Sequence, residues 1–374
     1  MSTRLNGPGA GFTRSAVEQL VPYEPGRPVE DVQRELGLER VVKLASNEGP
    51  FGPFPEALEA IERSLPDLNR YPDGGAYRLR SALAERHGVS LDEVVVTAGA
   101  DAAIGFLSQA VLEPGDEVVT GWPSFISYVL DALKLGAVPK RVPLRDHRFD
   151  LEAMLAEVTP RTKLVYICHP NNPTGTMNTR AELDAYFERV PEHVLTVVDQ
   201  AYFEYIDHPD YPDAIEEYAK AGRQVLVLRT FSKLYGLAGL RVGYAVGAAP
   251  VIEAIGKVRR AFDVNTVAQE AALASLLAPA EVERRRRVNA EGLVELERIL
   301  RHEGLDPAPS VGNFLFVQVG DEAAALNDAL LREGVIVRPM GAFGDPTALR
   351  ITVGTPEETT FFAAALASVL ARAR

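Results

Sequence analysis

Short continuous runs of hydrophobic residues alternate with helical patterns through the middle of the chain. From about residue 90 the runs are EVVVTAGA, DEVVTGWP, TKLVYICHP, HVLTVVDQAY and QVLVLRTF. Runs whose apolar residues do not alternate with polar ones are typical of strands covered on both faces. Between them, DAAIGFLSQAVL and TRAELDAYFERV have helical spacing. The pattern predicts an α/β domain with a mostly parallel, mixed sheet between helices.

The two ends of the chain have other patterns. Residues 1 to about 30 are rich in Gly, Pro and charge, which predicts an irregular arm, and a helix is expected near 55–65. After residue 265, TVAQEAALASLL and EVERRRRVNAEGLVELERIL read as helices, NFLFVQV, VIVRPM and ALRITVG as strands, and EETTFFAAALASVLARAR as a closing helix. We therefore predict an arm with part of the small domain over 1–49, a large domain over 50–265 and a smaller α+β domain over 266–374.

Composition narrows the classes of function. A chain of 374 residues with 47% hydrophobic content has room for two domains, and its formal charge of -13 argues against a nucleic-acid or anionic-membrane surface. The run ERRRR has Glu281 and Glu291 near it, so we interpret it as a solvated helix face. No apolar run approaches the ~20 residues that a membrane helix needs, and we expect a soluble protein.

Cysteine and histidine usage predicts the compartment and the metal content. The single cysteine, Cys168, has no partner for an intramolecular disulfide, which fits a reducing cytoplasm. The six histidines are widely separated in the sequence, and no Cys/His spacing resembles a zinc site. No metal site is predicted.

Chemistry-bearing residues follow the predicted strands, where ligands bind in open α/β sheets. The small residues of Ala98–Asp101 lead directly into a helix whose amides and dipole favour an anion, although such residues are also common in turns. Phe125 either covers a flat ring or packs in the core. Asn172 in HPNNPTG either donates to an anionic oxygen or serves the turn alone. Asp199 either caps a helix or pairs with a cation.

Lys233 lies within TFSKLYGLAGLRVGY, among small and apolar residues. A buried lysine either has a lowered pKa or is consumed in a bond, and a Schiff base satisfies both conditions. Ser232 and Arg241 bracket it with groups that bind phosphate. A ligand with an aldehyde, a phosphate, a flat ring, a ring nitrogen and a ring oxygen would suit all of these side chains. Pyridoxal phosphate has all five features.

With these motifs the chain resembles the fold-type I pyridoxal-phosphate aminotransferases, and within them the histidinol-phosphate aminotransferase branch. The resemblance covers nearly the whole chain. HPNNPTG and TFSKLYGLAGLRVG are typical of the superfamily. PYEPGRP, LNRYPDGGAY and LRITVGT narrow the resemblance to this branch.

The resemblance implies a role for each cofactor-site residue. Lys233 would form the Schiff base and then shuttle the proton, Asp199 would hold the ring nitrogen protonated, and Tyr202 would bond the ring oxygen. The other implied contacts are Asn172 on the ring oxygen, Phe125 stacked on the ring, and Ala100, Asp101, Ser232 and Arg241 around the phosphate. Tyr71 would reach the phosphate from the other subunit, which implies a homodimer.

The resemblance also implies the substrate side. Arg350 would bind the anionic end of the substrate, the carboxylate of glutamate or the phosphate of histidinol phosphate, whereas the alternative is an outward-facing arginine on a strand. Tyr23 and Asn47 match further substrate positions, and the arm would then be a lid. The implied reaction transfers an amino group between L-histidinol phosphate and 2-oxoglutarate.

Several alternatives remain at this stage. The chain has Gln200 and Gly49 where the family usually has Glu and Asn, and Ala102 where an acidic residue is common. An aromatic amino-acid aminotransferase and a phosphothreonine decarboxylase are rivals of the same class. A cofactor-sensing regulator is disfavoured because no helix-turn-helix pattern precedes the arm. A dehydrogenase is disfavoured because no GxGxxG follows the first strand.

Overall fold

The computed structural model describes residues 12–18, 20 and 26–373. Its strands are β1 (Val42–Lys43), β2 (Val94–Thr97), β3 (Glu117–Trp122), β4 (Val138–Pro143), β5 (Thr162–Cys168), β6 (Leu195–Asp199), β7 (Val225–Thr230), β8 (Gly243–Gly247), β9 (Phe314–Gln318), β10 (Val335–Ile336), β11 (Arg338–Pro339) and β12 (Ala348–Thr352). Its helices are α1 (Ser15–Glu18), α2 (Val29–Leu36), α3 (Pro55–Ser64), α4 (Tyr77–His87), α5 (Ala100–Val111), α6 (Ser127–Lys134), α7 (Leu151–Ala156), α8 (Arg180–Arg189), α9 (Ala249–Val258), α10 (Thr266–Leu276), α11 (Pro279–His302), α12 (Ala323–Arg332) and α13 (Pro356–Ala373).

The larger sheet has seven strands in the order β2-β8-β7-β6-β5-β3-β4. Neighbouring strands are parallel except where β8 runs antiparallel to both β2 and β7. The mostly parallel mixed sheet predicted from the apolar runs is therefore confirmed. β4 and β8 were not predicted: β4, VPKRVP, is mostly solvent-accessible and contains two prolines and two charged residues, and β8 begins and ends with glycine.

Both faces of this sheet are buried by helices, which is why its strands carry apolar residues at consecutive positions. Val165, Ile167 and Val227 are fully buried in one continuous core. Two of the surrounding helices begin at residues that favour a helix start, as the sequence predicts. Pro55 occupies the first turn of α3, and Thr179 caps α8 while the Glu182 side chain bonds back to the Thr179 amide.

The smaller sheet has the order β11-β12-β9 and is antiparallel. Its core draws on α11, α12 and α13 and includes residues near the start of the chain, Val42 and Leu44. The predicted strand VIVRPM is divided into β10 and β11, because β10 pairs in parallel with β1 whereas β11 joins β12. The arm also contains the short helix α1 within a segment predicted to be irregular.

The start of the predicted small domain packs on the large one. α10 lies against α3, and its residues Ala268, Ala271 and Ala272 belong to the large-domain core. The boundary at 265 stays a prediction.

Arg285 in α11 corrects the interpretation of ERRRR as a solvated face. Arg285 is 5% exposed, pairs with Glu281 and donates to the carbonyl oxygen of Leu234 at 3.2 Å. Its guanidinium also lies 4.4 Å from the ring centre of Phe54. The interpretation was wrong for this arginine, because α11 crosses the loop that carries Lys233 and the aromatic start of α3.

Over the residues that the structure describes, no helix is long and apolar enough to cross a membrane. The same residues contain no group of three or more His, Cys, Asp or Glu side chains placed to hold a metal ion.

Candidate active site

A cavity of about 140 Å³ lies at the carboxyl edge of the large sheet. The parallel strands end there, and antiparallel β8 begins there, so Arg241 joins the residues that follow β2, β3, β5, β6 and β7. The lining residues are Ala100, Asp101, Phe125, Cys168, Asn172, Asp199, Ala201, Tyr202, Thr230, Ser232, Lys233 and Arg241. Every predicted cofactor residue except Tyr71 therefore lines one cavity.

One end of the cavity is built to receive an anion. α5 begins at Ala100, and Gly99 before it has φ 85° and ψ 161°, a conformation essentially restricted to glycine. The Arg241 guanidinium lies beside this turn and approaches Ser232 Oγ at 3.5 Å, while Ser232 Oγ accepts a hydrogen bond from Thr230 Oγ1 at 3.0 Å. A Cβ atom at Gly99 would lie 2.7 Å from Arg241 Nη2. The helix amides, two hydroxyls and a guanidinium thus surround one small space.

Lys233 supplies a primary amine to the same cavity. Burial is the largest effect on this amine, and with the cations Arg350 and Arg241 it lowers the pKa of Lys233 to about 8. Nζ lies 3.5 Å from the Ser46 carbonyl oxygen and 5.5 Å from the ring centre of Tyr202. A substantial fraction of the amine is therefore neutral near physiological pH, as a nucleophile that attacks an aldehyde must be.

Asp199 lies at the end of β6, where it is 5% exposed. Burial raises the pKa of Asp199 to about 6, although hydrogen bonds oppose this effect. The donors are Tyr128 Oη to Oδ2 at 2.7 Å and the Ala201 amide to Oδ1 at 3.1 Å. The carboxylate does not cap a helix. Within the described chain it is a buried acceptor on the cavity wall.

Asn172, which follows β5 of the larger sheet, and Arg350 on β12 of the smaller sheet form a bonded pair. Arg350 is 4% exposed; its Nη1 donates to Asn172 Oδ1 and its Nη2 donates to the Ala45 carbonyl oxygen at 2.7 Å. This burial excludes the alternative of an outward-facing arginine on β12. Because the amide oxygen of Asn172 accepts from Arg350, the amide nitrogen is the atom that can donate to a ligand oxygen.

Asn47, predicted to lie on the substrate side, is buried between the smaller sheet and the cavity wall. It is 1% exposed with φ 54°, and its Nδ2 donates to the hydroxyl of Tyr202 at 3.0 Å. Asn47 Oδ1 accepts from Thr352 Oγ1 at 3.0 Å. The side chain therefore connects the small-domain sheet to Tyr202 on the cavity wall.

Tyr71, predicted to act at the cofactor of the other subunit, does not line this cavity. Tyr71 is 82% exposed and stacks on Phe262 at 4.6 Å between ring centres. Tyr23, predicted to contact substrate, lies outside the described residues.

Sequence reasoning did not select Thr230, Ala201 or Tyr128 as site residues. Thr230 lies two residues before Ser232 and Ala201 directly before Tyr202, so their position near predicted residues was an available signal. Cys168 also lines the cavity and was not selected as a site residue. Tyr128 is in the first turn of α6, and nothing in the sequence indicates that its hydroxyl reaches Asp199.

The residues present fit pyridoxal phosphate. The cradle around Gly99 suits a phosphate, the carboxylate of Asp199 suits a ring nitrogen, and the amine of Lys233 suits an aldehyde. Glycine at position 99 is the structural observation that supports this fit, because a side chain there would occupy the space beside the guanidinium.

The chain belongs to the aminotransferase class I and II family, whose model matches residues 39–366. Two bacterial relatives are similar over nearly the full length. A histidinol-phosphate aminotransferase from Moorella thermoacetica is 44% identical, covering 96% of this chain and 93% of the relative. A histidinol-phosphate aminotransferase 2 from Pseudomonas fluorescens Pf-5 is 44% identical, covering 99% of this chain and 100% of the relative.

Solved structures agree with this family. The histidinol-phosphate aminotransferase from Sinorhizobium meliloti, in complex with pyridoxal-5'-phosphate, superposes with a TM-score of 0.89 at 29% identity, covering 98% of this chain and 100% of that one. The aspartate aminotransferase from Thermus thermophilus with maleate has a TM-score of 0.83 at 25% identity, covering 96% of this chain and 99% of that one. The predicted family and fold type are confirmed.

Proposed function

We propose that this chain is a pyridoxal-phosphate-dependent aminotransferase that moves an amino group between L-histidinol phosphate and 2-oxoglutarate, giving imidazole acetol phosphate and L-glutamate, in histidine biosynthesis. One observation carries the proposal: an amine of lowered pKa, Lys233, shares one cavity with the buried carboxylate of Asp199 and an anion cradle. The similarity to histidinol-phosphate aminotransferases over nearly the whole chain supports this choice of substrate.

The cofactor would be held at three points. Ala100, Ser232 and Arg241 would bind its phosphate, Asp199 would face the ring nitrogen, and Asn172 would donate to the ring oxygen. Tyr202 would share the ring oxygen and Phe125 would cover one ring face. When bound, pyridoxal phosphate supplies an aldehyde that exchanges amines and a ring that accepts the electron pair released from the substrate carbon.

Side chains of the protein would transfer protons and stabilise charge at the bound cofactor. The Lys233 amine has its pKa near 8, so it can accept and return a proton close to neutral pH. Asp199, buried and bonded on both oxygens, presents negative charge without rearrangement. Asn47 holds the hydroxyl of Tyr202, which limits where that hydroxyl can point.

Two arginines of the small domain would receive the anionic end of the substrate. Arg338 on β11 is in register opposite Arg350 on β12, and their guanidinium groups lie 5.5 Å and 5.8 Å from the ring centre of Phe343. Guanidinium groups bind carboxylate and phosphate in the same forked geometry, so one site would accept glutamate and histidinol phosphate in turn.

We further propose a homodimer in which Tyr71 reaches the partner's cofactor phosphate. Tyr71 is 82% exposed and stacks on Phe262, which is 45% exposed, and the large side chains Leu68 and Tyr77 close to it in the sequence are 54% and 61% exposed. Large apolar side chains grouped on a surface are typical of a contact with another chain. A cytoplasmic location is also proposed, since the single cysteine is buried and makes no disulfide.

The test offers L-histidinol phosphate, L-phenylalanine and L-glutamate separately to the purified holoenzyme and follows the cofactor absorbance. We expect rapid conversion to the pyridoxamine form with histidinol phosphate and glutamate. Conversion by phenylalanine but not by histidinol phosphate would identify an aromatic amino-acid aminotransferase instead. Release of carbon dioxide from phosphothreonine would identify a decarboxylase.

Borohydride reduction followed by peptide mapping tests the attachment site. The pyridoxyl adduct is expected on the peptide that contains Lys233 and should be lost in Lys233→Ala. Lys257→Ala is the matched control, because Lys257 is a lysine 69% exposed on α9 and paired with Glu253. An adduct that persists in Lys233→Ala would contradict the role given to this lysine.

A further inference from the structure

The hydroxyl of Tyr128 is a buried donor to the carboxylate on the cavity wall. Tyr128 is fully buried, and its Oη donates to Asp199 Oδ2 at 2.7 Å. The other oxygen, Oδ1, accepts from the Ala201 amide at 3.1 Å. One oxygen is therefore held by the backbone of its own loop, and the other is held by a side chain from α6.

Packing fixes the position of this phenol. Its ring stacks on Tyr166 with 4.4 Å between ring centres and 10° between planes. It meets Phe125 edge-on, with 5.6 Å between centres and 76° between planes. Tyr128 thus touches both Asp199 and the aromatic side chain that lines the same cavity. A phenol held on two sides loses little further freedom when it donates its hydrogen bond.

The electrostatic surroundings make this donor important. The titratable groups that face Asp199 come from several elements: Asp101 on α5, Tyr128 on α6, Tyr166 and Cys168 on β5, Tyr202 after β6 and Lys233 after β7. Burial raises the pKa of Asp199 to about 6, whereas the hydrogen bond from Tyr128 lowers it. Burial also raises the pKa of Tyr128 well above its usual value, so the phenol keeps the proton that it donates.

We propose that Tyr128 is a positioning residue that holds Asp199 ionised and oriented toward the ring nitrogen of the bound cofactor. This inference rests on the proposed function, because it requires pyridoxal phosphate with its ring nitrogen at Asp199. Without the phenol, the proton affinity of the Asp199 carboxylate would rise, and the proton shared with the ring nitrogen would lie on the carboxylate. A ring left neutral in this way would withdraw electrons less strongly from the substrate carbon.

The test is Tyr128→Phe, which keeps the ring and removes the hydroxyl. In holoenzyme reconstituted with 15N-labelled pyridoxal phosphate, the ring-nitrogen chemical shift should move toward the unprotonated value at the same pH. The rate of the half-reaction with L-histidinol phosphate should fall about ten- to hundredfold, the range expected for loss of a hydrogen bond to a charged group. The acid limb of the pH profile should move up by about one pH unit.

Tyr166→Phe is the matched control. Tyr166 is equally buried in the same stack, but its hydroxyl makes no hydrogen bond to Asp199 among the bonds found in the described chain. This variant shares the loss of a buried hydroxyl and should leave the nitrogen shift and the acid limb unchanged. In an Asp199→Asn background, Tyr128→Phe should cause little further loss, because its effect acts through the carboxylate.

The possible failures are distinguishable. If wild-type protein forms no borohydride adduct on Lys233, the proposed function fails and the Tyr128 inference fails with it. If wild type forms the adduct and transaminates, but Tyr128→Phe keeps the wild-type nitrogen shift and pH profile, only the Tyr128 inference is overturned. Equal shifts in Tyr128→Phe and Tyr166→Phe would also overturn it, because they would show a general effect of packing.

Discussion

Gly99→Ala tests whether the cradle beside α5 binds the cofactor phosphate. A Cβ at this position would lie 2.7 Å from Arg241 Nη2 and 3.4 Å from Arg241 Cζ. The atoms in conflict are the far end of a flexible side chain, so the guanidinium can swing away and the protein can still fold. The arginine then leaves the cradle, which is the effect to be measured.

The magnitude has two separate parts. Alanine in the Gly99 conformation, φ 85° and ψ 161°, costs on the order of 1–3 kcal/mol of stability through backbone strain. Losing one hydrogen bond between a guanidinium and a phosphate costs roughly 1.5–3 kcal/mol of binding free energy. The second part corresponds to an increase of about 10- to 150-fold in the dissociation constant for pyridoxal phosphate.

The assay titrates apoprotein with pyridoxal phosphate and records thermal melting of the same apoprotein. Gly115→Ala is the matched control, because Gly115 has a similar φ of 90° and its Cβ would meet no atom within 4 Å. Both variants should melt earlier than wild type, and Gly99→Ala alone should bind the cofactor more weakly. An unchanged dissociation constant in Gly99→Ala, or equally weakened cofactor binding in both variants, would refute the proposal that this turn binds the cofactor phosphate.

Two further predictions concern the substrate arginine and acid stability. Arg350→Lys should raise the KM for L-histidinol phosphate about 10- to 100-fold, because lysine lacks the forked guanidinium that would bind the anionic end of the substrate. The bound-cofactor absorbance should stay in place, since Lys233 and Asp199 are unchanged. Steady-state kinetics measure the KM beside the control Arg298→Lys, at an exposed arginine of α11, and equal KM values in the two variants would contradict the role proposed for Arg350. Burial lowers the pKa of His169 to about 4, and its Nδ1 has no hydrogen-bond partner among the described residues, so folding favours the neutral ring. The contribution of His169 to the free energy of unfolding is fully present above pH ~6.5 and is lost as the pH falls toward 4. This loss is at most about 3 kcal/mol. The difference in melting temperature between pH 7.5 and pH 5 should therefore be smaller in His169→Gln than in wild type. An equal difference in the two proteins would contradict the assignment of this pH dependence to His169.

Much of the site could be predicted because of a property of parallel sheets. Successive strands end at the same edge, so residues that follow separate apolar runs, such as Asn172, Asp199 and Ser232, converge without any knowledge of distances. The antiparallel β8 was not predicted, yet Arg241 still reaches this edge because it precedes a strand that runs the other way. The phosphate role predicted for Arg241 came from the motif around Lys233.

Other features could not be predicted, because they depend on contacts between segments far apart in sequence. Arg285 is one of four consecutive arginines on a helix, and only the crossing of α11 over the Lys233 loop decides that this one is buried. Asn47 matches a substrate position in its motif, whereas the packing of the small sheet directs it to Tyr202 and Thr352. Side-chain direction in these cases is set by the partner segment and not by local pattern.

By itself the sequence determined the family, the alternation of strands and helices and the set of groups that meet at the sheet edge, because periodicity and motif spacing are local properties of the chain. Only the tertiary structure decided how those groups are tuned. The bond from Tyr128 to Asp199, the pairing of Arg350 with Asn172 and the lowered pKa of Lys233 all arise from burial and close approach. Proton affinities and hydrogen bonds depend on distances of a few ångströms, and the folded chain alone sets those distances.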